Sequence, residues 1–286
     1  PLGGLFLTAG VDVQKDRIEC EIVAWGRNKE SWSVDYIVIG GDTARSETWD
    51  RLDKEVLQKD WVHANGNTMP IRVMAVDSGY ATQDVYSFVR KHPQAIWGAS
   101  GARASTPRTV VAIKGQERET SLILSVSKAD AGGKRRGLRV WNVSGPVAKM
   151  ELYRWLKLEW PTDRTLPFPH GSCHFPEYGE EYFKQLTAER RITKMHKGYP
   201  KAVWEKDPTR NNEALDCRVY ARAAAGIFGL DKITEQKWKQ LEESLGVGIE
   251  KEPIAEETSV EEKTVTENKK VIIPKRKSIK AKDPYL

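Results

Sequence analysis

Three aspartates occupy positions from which their side chains can act together. Asp12 ends the run Leu5-Phe-Leu-Thr-Ala-Gly-Val-Asp12, Asp77 ends Ile71-Arg-Val-Met-Ala-Val-Asp77, and Asp216 lies in Asn212-Glu213-Ala-Leu-Asp216. The first two runs read as buried strands, and the third opens an apolar-periodic segment that reads as a helix. Carboxylates at strand ends and on a helix packed beside them can converge on one point. Such carboxylates repel one another unless protonated or neutralised, so at neutral pH the arrangement points to bound divalent metal. Two Mg2+ or Mn2+ ions roughly 4 Å apart would orient a water for attack on phosphorus and stabilise the departing oxygen. A single Asp after a strand is often only a turn residue; the three together favour the catalytic and metal-binding reading. Glu213, three residues before Asp216, shares its helical face and reads equally as a further metal ligand or as a first-turn acid answering the helix dipole. Turn and helix-start chemistry suffice for Asp16 and Asp84.

Other chemistry has weaker support. His63, His92, His170, His174 and His196 show no mutual ligand spacing, although His174 in Cys173-His-Phe-Pro176 is the best placed to line a cleft. The segment Ala131-Gly-Gly-Lys-Arg-Arg-Gly137 lacks the Gly-Lys-Ser/Thr ending of a phosphate loop and does not join a strand to a helix. It reads instead as a basic hairpin tip, in which Lys134, Arg135 and Arg136, with Arg139, either meet DNA phosphates or are simply solvated. Lys114, at a strand end, and Arg103 and Arg108 nearby are further candidates for DNA binding.

The elements that would position these residues follow from periodicity. Residues 5–13, 18–25 and 31–39 alternate as three strands of an antiparallel meander. A helix at 46–59, a strand at 71–76, a helix at 83–91 and a short strand at 95–98 come next. Three strands, helix, strand, helix, strand is the early half of a ribonuclease-H-like α/β topology, a mixed β-sheet flanked by helices. An additional β-hairpin region spans 109–143, Pro146 suits the first turn of a helix reaching 158, and further helices are expected at 178–190 and 212–228. These elements make residues 1–230 one nuclease domain. Residues 231–248 read as an amphipathic helix. Residues 249–286, acidic and then basic with few large apolar groups, read as a flexible charged tail.

The 286 residues carry a net charge of +6, which fits a polyanion-binding protein without requiring one. No apolar stretch is long enough for a membrane span. Cys20, Cys173 and Cys217 form neither a zinc pattern nor a disulfide framework, which suits a reducing cytoplasm. The ten tryptophans are expected mainly in the core or at its rim. The chain starts almost inside its first strand and reads as a piece of a longer protein.

Several separated motifs, in order, carry a family resemblance: Leu7-Thr-Ala-Gly-Val-Asp12, Val76-Asp77-Ser-Gly-Tyr80, Ile113-Lys-Gly115, His174-Phe-Pro176, Gln185-Leu-Thr-Ala-Glu-Arg190 and Asn212-Glu-Ala-Leu-Asp216. Over residues 5–229 the chain resembles the C-terminal nuclease domain of the lambda-type terminase large subunit of tailed bacteriophages. The resemblance implies a divalent-metal endonuclease that cuts concatemeric viral DNA, with the acidic ligands falling on Asp12, Asp77 and Asp216. It also implies double-stranded viral DNA, the terminase small subunit, the portal protein and an ATPase domain of the same polypeptide as partners, in the host bacterial cytoplasm. A DNA-binding or portal-docking module with little cleavage of its own is the alternative. Another ribonuclease-H-like nuclease, such as a resolvase or transposase, shares the aspartates but not the remaining motifs.

Overall fold

Three strands open the chain and pair antiparallel through short polar turns: β1 (Phe6–Val13), β2 (Arg17–Trp25) and β3 (Ser31–Gly40). The computed structural model describes residues 1–98, 101–103, 106–129, 137–163 and 165–247. After the meander come α1 (Ser46–Leu52), continued by a π-helical turn at Asp53–Leu57, and a small hairpin of β4 (Trp61–Val62) and β5 (Thr68–Met69). Next are β6 (Ile71–Asp77) and α2 (Thr82–Arg90), then a second small hairpin of β7 (Ile96–Gly98) and β8 (Gly101–Arg103). They lead to β9 (Thr109–Gln116), β10 (Ile123–Lys128), β11 (Arg139–Ser144) and α3 (Gly145–Trp155). Ser144 caps α3 by accepting from the Val147 amide at 3.1 Å, and Pro146 sits in the first turn, where its missing amide proton is no loss. The described chain ends with β12 (Cys173–His174), α4 (Glu180–Leu186), β13 (Glu189–His196), β14 (Tyr199–Lys206), α5 (Glu213–Phe228) and α6 (Glu235–Leu245).

Eight strands form one mixed sheet in the order β10-β11-β9-β6-β1-β2-β3-β12. β1, β6, β9 and β11 run parallel, so they share one carboxyl-terminal end. Every residue of β1 is buried, as a central strand covered on both faces requires. Alternation divides those faces. Thr8, Gly10 and Asp12 of β1, and Val73, Ala75 and Asp77 of β6, point to the α5 side. Thr8 Oγ1 donates to the Ala221 carbonyl at 2.9 Å, and Val73 and Ala75 pack with Ala223, Ala224 and Ile227. Leu52, Val56, Val85 and Val89 join the core from the helices α1 and α2 and the π-helical turn. Trp238, Leu241 and Leu245 of α6 are buried in the same cluster.

Three expectations are corrected. The strand near 95–98 pairs, among the described residues, with β8 in a separate two-stranded sheet rather than in the main one. The hairpin expected within 109–143 forms, with β10 antiparallel to β11, but it is not additional to the main sheet, because β11 lies parallel against β9 and extends it. The helix expected at 178–190 stops at Leu186, and Glu189 opens a strand of a two-stranded arm that periodicity did not reveal. The hairpin tip at 134–136 and the tail at 249–286 lie outside the described residues.

Gly10 sets the distance between helix and sheet. A Cβ there would stand 2.0 Å from the Cys217 carbonyl oxygen and 2.3 Å from the Ala221 amide nitrogen, both backbone atoms of α5. No rotamer change relieves that overlap, so Gly10→Ala must push the helix off β1. The expected cost is about 1–3 kcal/mol or more. It is read as a lower thermal midpoint; an unshifted midpoint would mean that the helix does not rest on Gly10.

Candidate metal centre

The topology brings two of the aspartates together before any side chain is considered. Val11 and Val76 are register partners in the parallel pair β1–β6, so Asp12 and Asp77, one residue further on, end adjacent strands on one face. α5 lies over that face, and its first turn carries Glu213 and Asp216. The three carboxyls feel one another: Asp77 acts on Asp12, and both act on Asp216. Burial, countered by the Gln14 hydrogen bond and reinforced by Asp77, Glu213 and Glu19, lifts the Asp12 carboxyl from 3.8 to about 6. Burial likewise lifts Asp216 to about 7; Lys149 opposes the rise, and Asp12, Glu189 and Asp77 add to it. Asp77 is raised by burial against the amides of Gly79 and Ser78 and the charge of Lys114.

Each carboxylate is held by a local donor. Gln14 Nε2 donates to Asp12 Oδ2 at 2.6 Å, the Gly79 amide to Asp77 Oδ2 at 3.1 Å, and Asn212 Nδ2 to Asp216 Oδ2 at 2.9 Å. With the side chains so turned, no three potential ligands among the described residues stand close enough to hold one ion. The donor set nevertheless fits a hard cation. It is all oxygen, with Asp12 and Glu213 buried and Asp77 and Asp216 half-buried, and desolvation raises the pKa values of its three aspartates, so a cation beside them would favour their charged forms. Glu213 adds a further sign: Oε1 pairs with Arg17 at 2.9 Å, while the buried Oε2 has no hydrogen-bond partner.

Several residues around this centre were missed in the sequence. Glu19 is the cross-strand partner of Asp12, and it accepts from Arg17 Nε at 2.6 Å and from the Tyr36 hydroxyl. The tight turn between β1 and β2 fixes this pairing, so counting across the turn would have found it. Lys149 on α3 donates to Glu189 at 2.7 and 2.8 Å and lies 4.0 Å from Asp216. Asn212 bridges the same two acids, donating to Glu189 Oε1 at 3.0 Å. No local signal marks Lys149 or Glu189, because a helix and an arm distant in sequence bring them in.

The candidate DNA-binding residues separate. Lys114, exposed on β9 one residue beyond the Asp77 partner Ile113, stands at the acidic end of the sheet. Arg108 and Arg139 lie at the opposite end, where β9 and β11 begin; Arg108 is tied to Asp60 at 2.7 Å and Arg139 faces the Ala95 carbonyl at 3.5 Å. Arg103 closes β8, while Lys134, Arg135 and Arg136 are outside the described residues. His174 is held by Glu30 at 2.8 Å and stacked on Trp32, a packing role.

A family model described as the endonuclease domain of the terminase large subunit gpA matches residues 1–238. The terminase large subunit of Escherichia phage lambda is 31% identical over 227 residues, covering 78% of this chain and 32% of that protein. That of Enterobacteria phage P21 is 29% identical over 242 residues, covering 84% and 34% respectively. This chain therefore spans about a third of the length of these relatives. No solved structure matches.

The raised carboxyls make metal-free stability depend on pH. A folded pKa above the unfolded one means that the native state holds the proton more tightly, so this contribution is full below about 3.8 and disappears as pH rises through about 6 for Asp12 and about 7 for Asp216. In chelator, Asp12→Asn should melt several degrees above the parent at pH 8, with the gap shrinking as pH falls and closing only near or below pH 3.8, since the Asp12 shift corresponds to on the order of 3 kcal/mol. Adding Mn2+ to the parent at pH 8 should produce a similar rise. Equal midpoints at pH 8 would show that the Asp12 charge is already compensated.

Proposed function

Because the chain belongs to the family of terminase large-subunit gpA endonuclease domains, we propose that it hydrolyses phosphodiester bonds of double-stranded viral DNA in a divalent-metal-dependent reaction. The observation that carries the reading is the gathering of acids at one sheet end, with Asp12 and Asp77 ending adjacent strands and Asp216 on the helix that covers them. We read the sheet as ribonuclease-H-like, supported by an antiparallel meander whose first strand is followed by the parallel neighbours β6 and β9.

Asp12, Asp77 and Asp216 would hold Mg2+ or Mn2+, two ions in the fullest arrangement, with the unpartnered oxygen of Glu213 available beside them. Bound there, the ions would supply positive charge to a phosphoryl oxygen and lower the pKa of an attacking water. The surrounding residues hold the acids in place. Arg17 grips Glu19 and Glu213 together, which fixes two carboxylates next to Asp12. Lys149 and Asn212 tie Asp216 to Glu189, so the first turn of α5 cannot drift from the arm root. Lys114 projects a cation at the same end, suited to a phosphate of the cut strand. Its charge also lowers the cost of ionising Asp77.

In the whole protein this domain would cut concatemeric DNA to make genome ends in the host cytoplasm. The terminase small subunit, the portal protein and an ATPase domain of the same polypeptide would supply DNA positioning and translocation.

Replacing one acid by its near-isosteric amide separates chemistry from folding. Asp77→Asn should reduce Mn2+-dependent nicking of supercoiled plasmid by about 100-fold or more, beyond the usual loss from removing a residue that only supports a ligand, while circular dichroism stays unchanged. EDTA should abolish parental nicking. Parental cleavage that survives the chelator, or an Asp77→Asn variant that cuts at the parental rate, would overturn the metal-dependent reading.

A further inference from the structure

The β13–β14 arm stands as its own two-stranded sheet, and among the described residues its polar ties to the rest of the protein lie toward its root. There, the Asp207 amide donates to the Ala188 carbonyl at 2.8 Å, and the Tyr153 hydroxyl donates to the Glu189 carbonyl at 2.6 Å. Trp204 packs on Tyr153, and Arg191 pairs with Glu119 at 3.0 Å. Among the described residues, none outside the arm hydrogen-bonds or ion-pairs with the side chains from Thr193 to Lys201. Two strands of eight residues reach about 25 Å.

The charge on this arm is unbalanced. The arm's own residues include Arg190, Arg191, Lys194, Lys197, Lys201 and Lys206 against two carboxylates, Glu189 and Glu205; Glu189 is already committed to Lys149 at the acidic centre, and Glu119 from outside the arm offsets Arg191. One open face alternates Arg190, Ile192, Lys194 and His196 with Tyr199, Lys201, Val203 and Glu205 across the ladder. Glu205 is shared between Arg190 at 3.1 Å and Lys194 at 3.0 Å. Lys194 and Lys201 are direct cross-strand partners, an arrangement of like charges that costs stability in the free protein. At the tip, Met195 and Tyr199 are 69% and 77% exposed, flanking the left-handed turn at Lys197 and Gly198. Unbalanced cations, a like-charge pair and exposed apolar groups at the tip all favour a polyanion with grooves. The arm begins at Glu189, whose Lys149 partner lies 4.0 Å from Asp216.

We propose that the β13–β14 arm is a duplex-DNA clamp, with Lys194, Lys197 and Lys201 on backbone phosphates and the Met195–Tyr199 tip in a groove beside the cutting site. This rests on the nuclease reading for the identity of the polyanion. A two-stranded ribbon fits the major groove, about 12 Å wide. The contacts are to the backbone, so the clamp holds the duplex without reading sequence.

The test is the salt dependence of binding by the 286-residue chain to a mixed-sequence duplex of about 30 base pairs in EDTA, where cleavage plays no part. The variant combines Lys194→Gln, Lys197→Gln and Lys201→Gln. Losing three phosphate contacts should make the slope of log K against log salt shallower by about 2 to 3 and weaken binding about 10-fold or more at low salt. Its thermal midpoint should stay level or rise, because the Lys194–Lys201 repulsion is gone. A control with Lys232→Gln, Lys237→Gln and Lys239→Gln removes the same charge elsewhere and should change the slope less. An unchanged slope in the arm variant, an equal change in the control, or no binding by the parent overturns the clamp and leaves those lysines as charges that protect a free strand edge. Plasmid cleavage in Mn2+ separates the two readings: a parent that binds through the arm but never cuts defeats the nuclease and keeps the clamp, while a parent that cuts and binds with the variant's slope defeats only the clamp.

Discussion

Backbone contact between α5 and β1 at Gly10 is the constraint on which the rest of the molecule depends. With no side chain between them, the helix lies directly on the central strand, and Asp216 is brought over Asp12. The same helix is fixed along its length by further polar bonds, two of them to the sheet. Arg218 Nη1 reaches Glu21 at 2.9 Å and its Nη2 donates to Ser31 at 2.8 Å, all inside the core. Removing one partner of a buried pair of this kind strands the other charge, which makes the register of α5 on the sheet hard to alter. One turn on, Arg222 joins Glu151 and Asp231. A helix that carried only Asp216 would be free to slide; this one is indexed by the four polar partners of Arg218 and Arg222 and by one glycine.

That rigidity holds acids in a place they would not choose. Burial opposes ionisation of Asp12, Asp77 and Asp216, and their mutual repulsion adds to the penalty at Asp12 and Asp216. The fold offsets part of it with Gln14, Asn212, Lys149 and Lys114. The remaining deficit is what a divalent cation would fill, so the site stores electrostatic strain that ligand binding can release. Charge is distributed unevenly over the protein as a consequence, with anions concentrated at the sheet end and cations on the arm that begins there.

The sequence made the aspartates legible because each closes or opens an element whose apolar periodicity is strong. β1, β2, β3, β6 and α5 lie within a residue or two of where the pattern puts them. Gly10 carried a signal too, since a glycine inside a central strand marks close approach of another backbone, but its partner is 211 residues away at Ala221 and no local rule names it. The arm escaped for a different reason. Its strands are largely polar, and apart from Glu189 none of their residues is fully buried, so neither face shows the alternation that burial imposes. Glu189 was read as the end of a helix because Tyr182 and Leu186 continue a helical spacing up to Thr187, where the backbone leaves the helix. Lys114 lies at the acidic end of the parallel strands, whereas Arg108 and Arg139, equally basic, lie at the opposite end; composition cannot tell those ends apart.

The centre itself is tested most directly by diffraction from crystals of this chain grown or soaked in Mn2+, with data collected to give the manganese anomalous signal. A peak is expected at the sheet end whose inner ligands include carboxylate oxygens of Asp12, Asp77 and Asp216 at roughly 2.0–2.3 Å. A map with manganese bound elsewhere and none among these three carboxylates would contradict it.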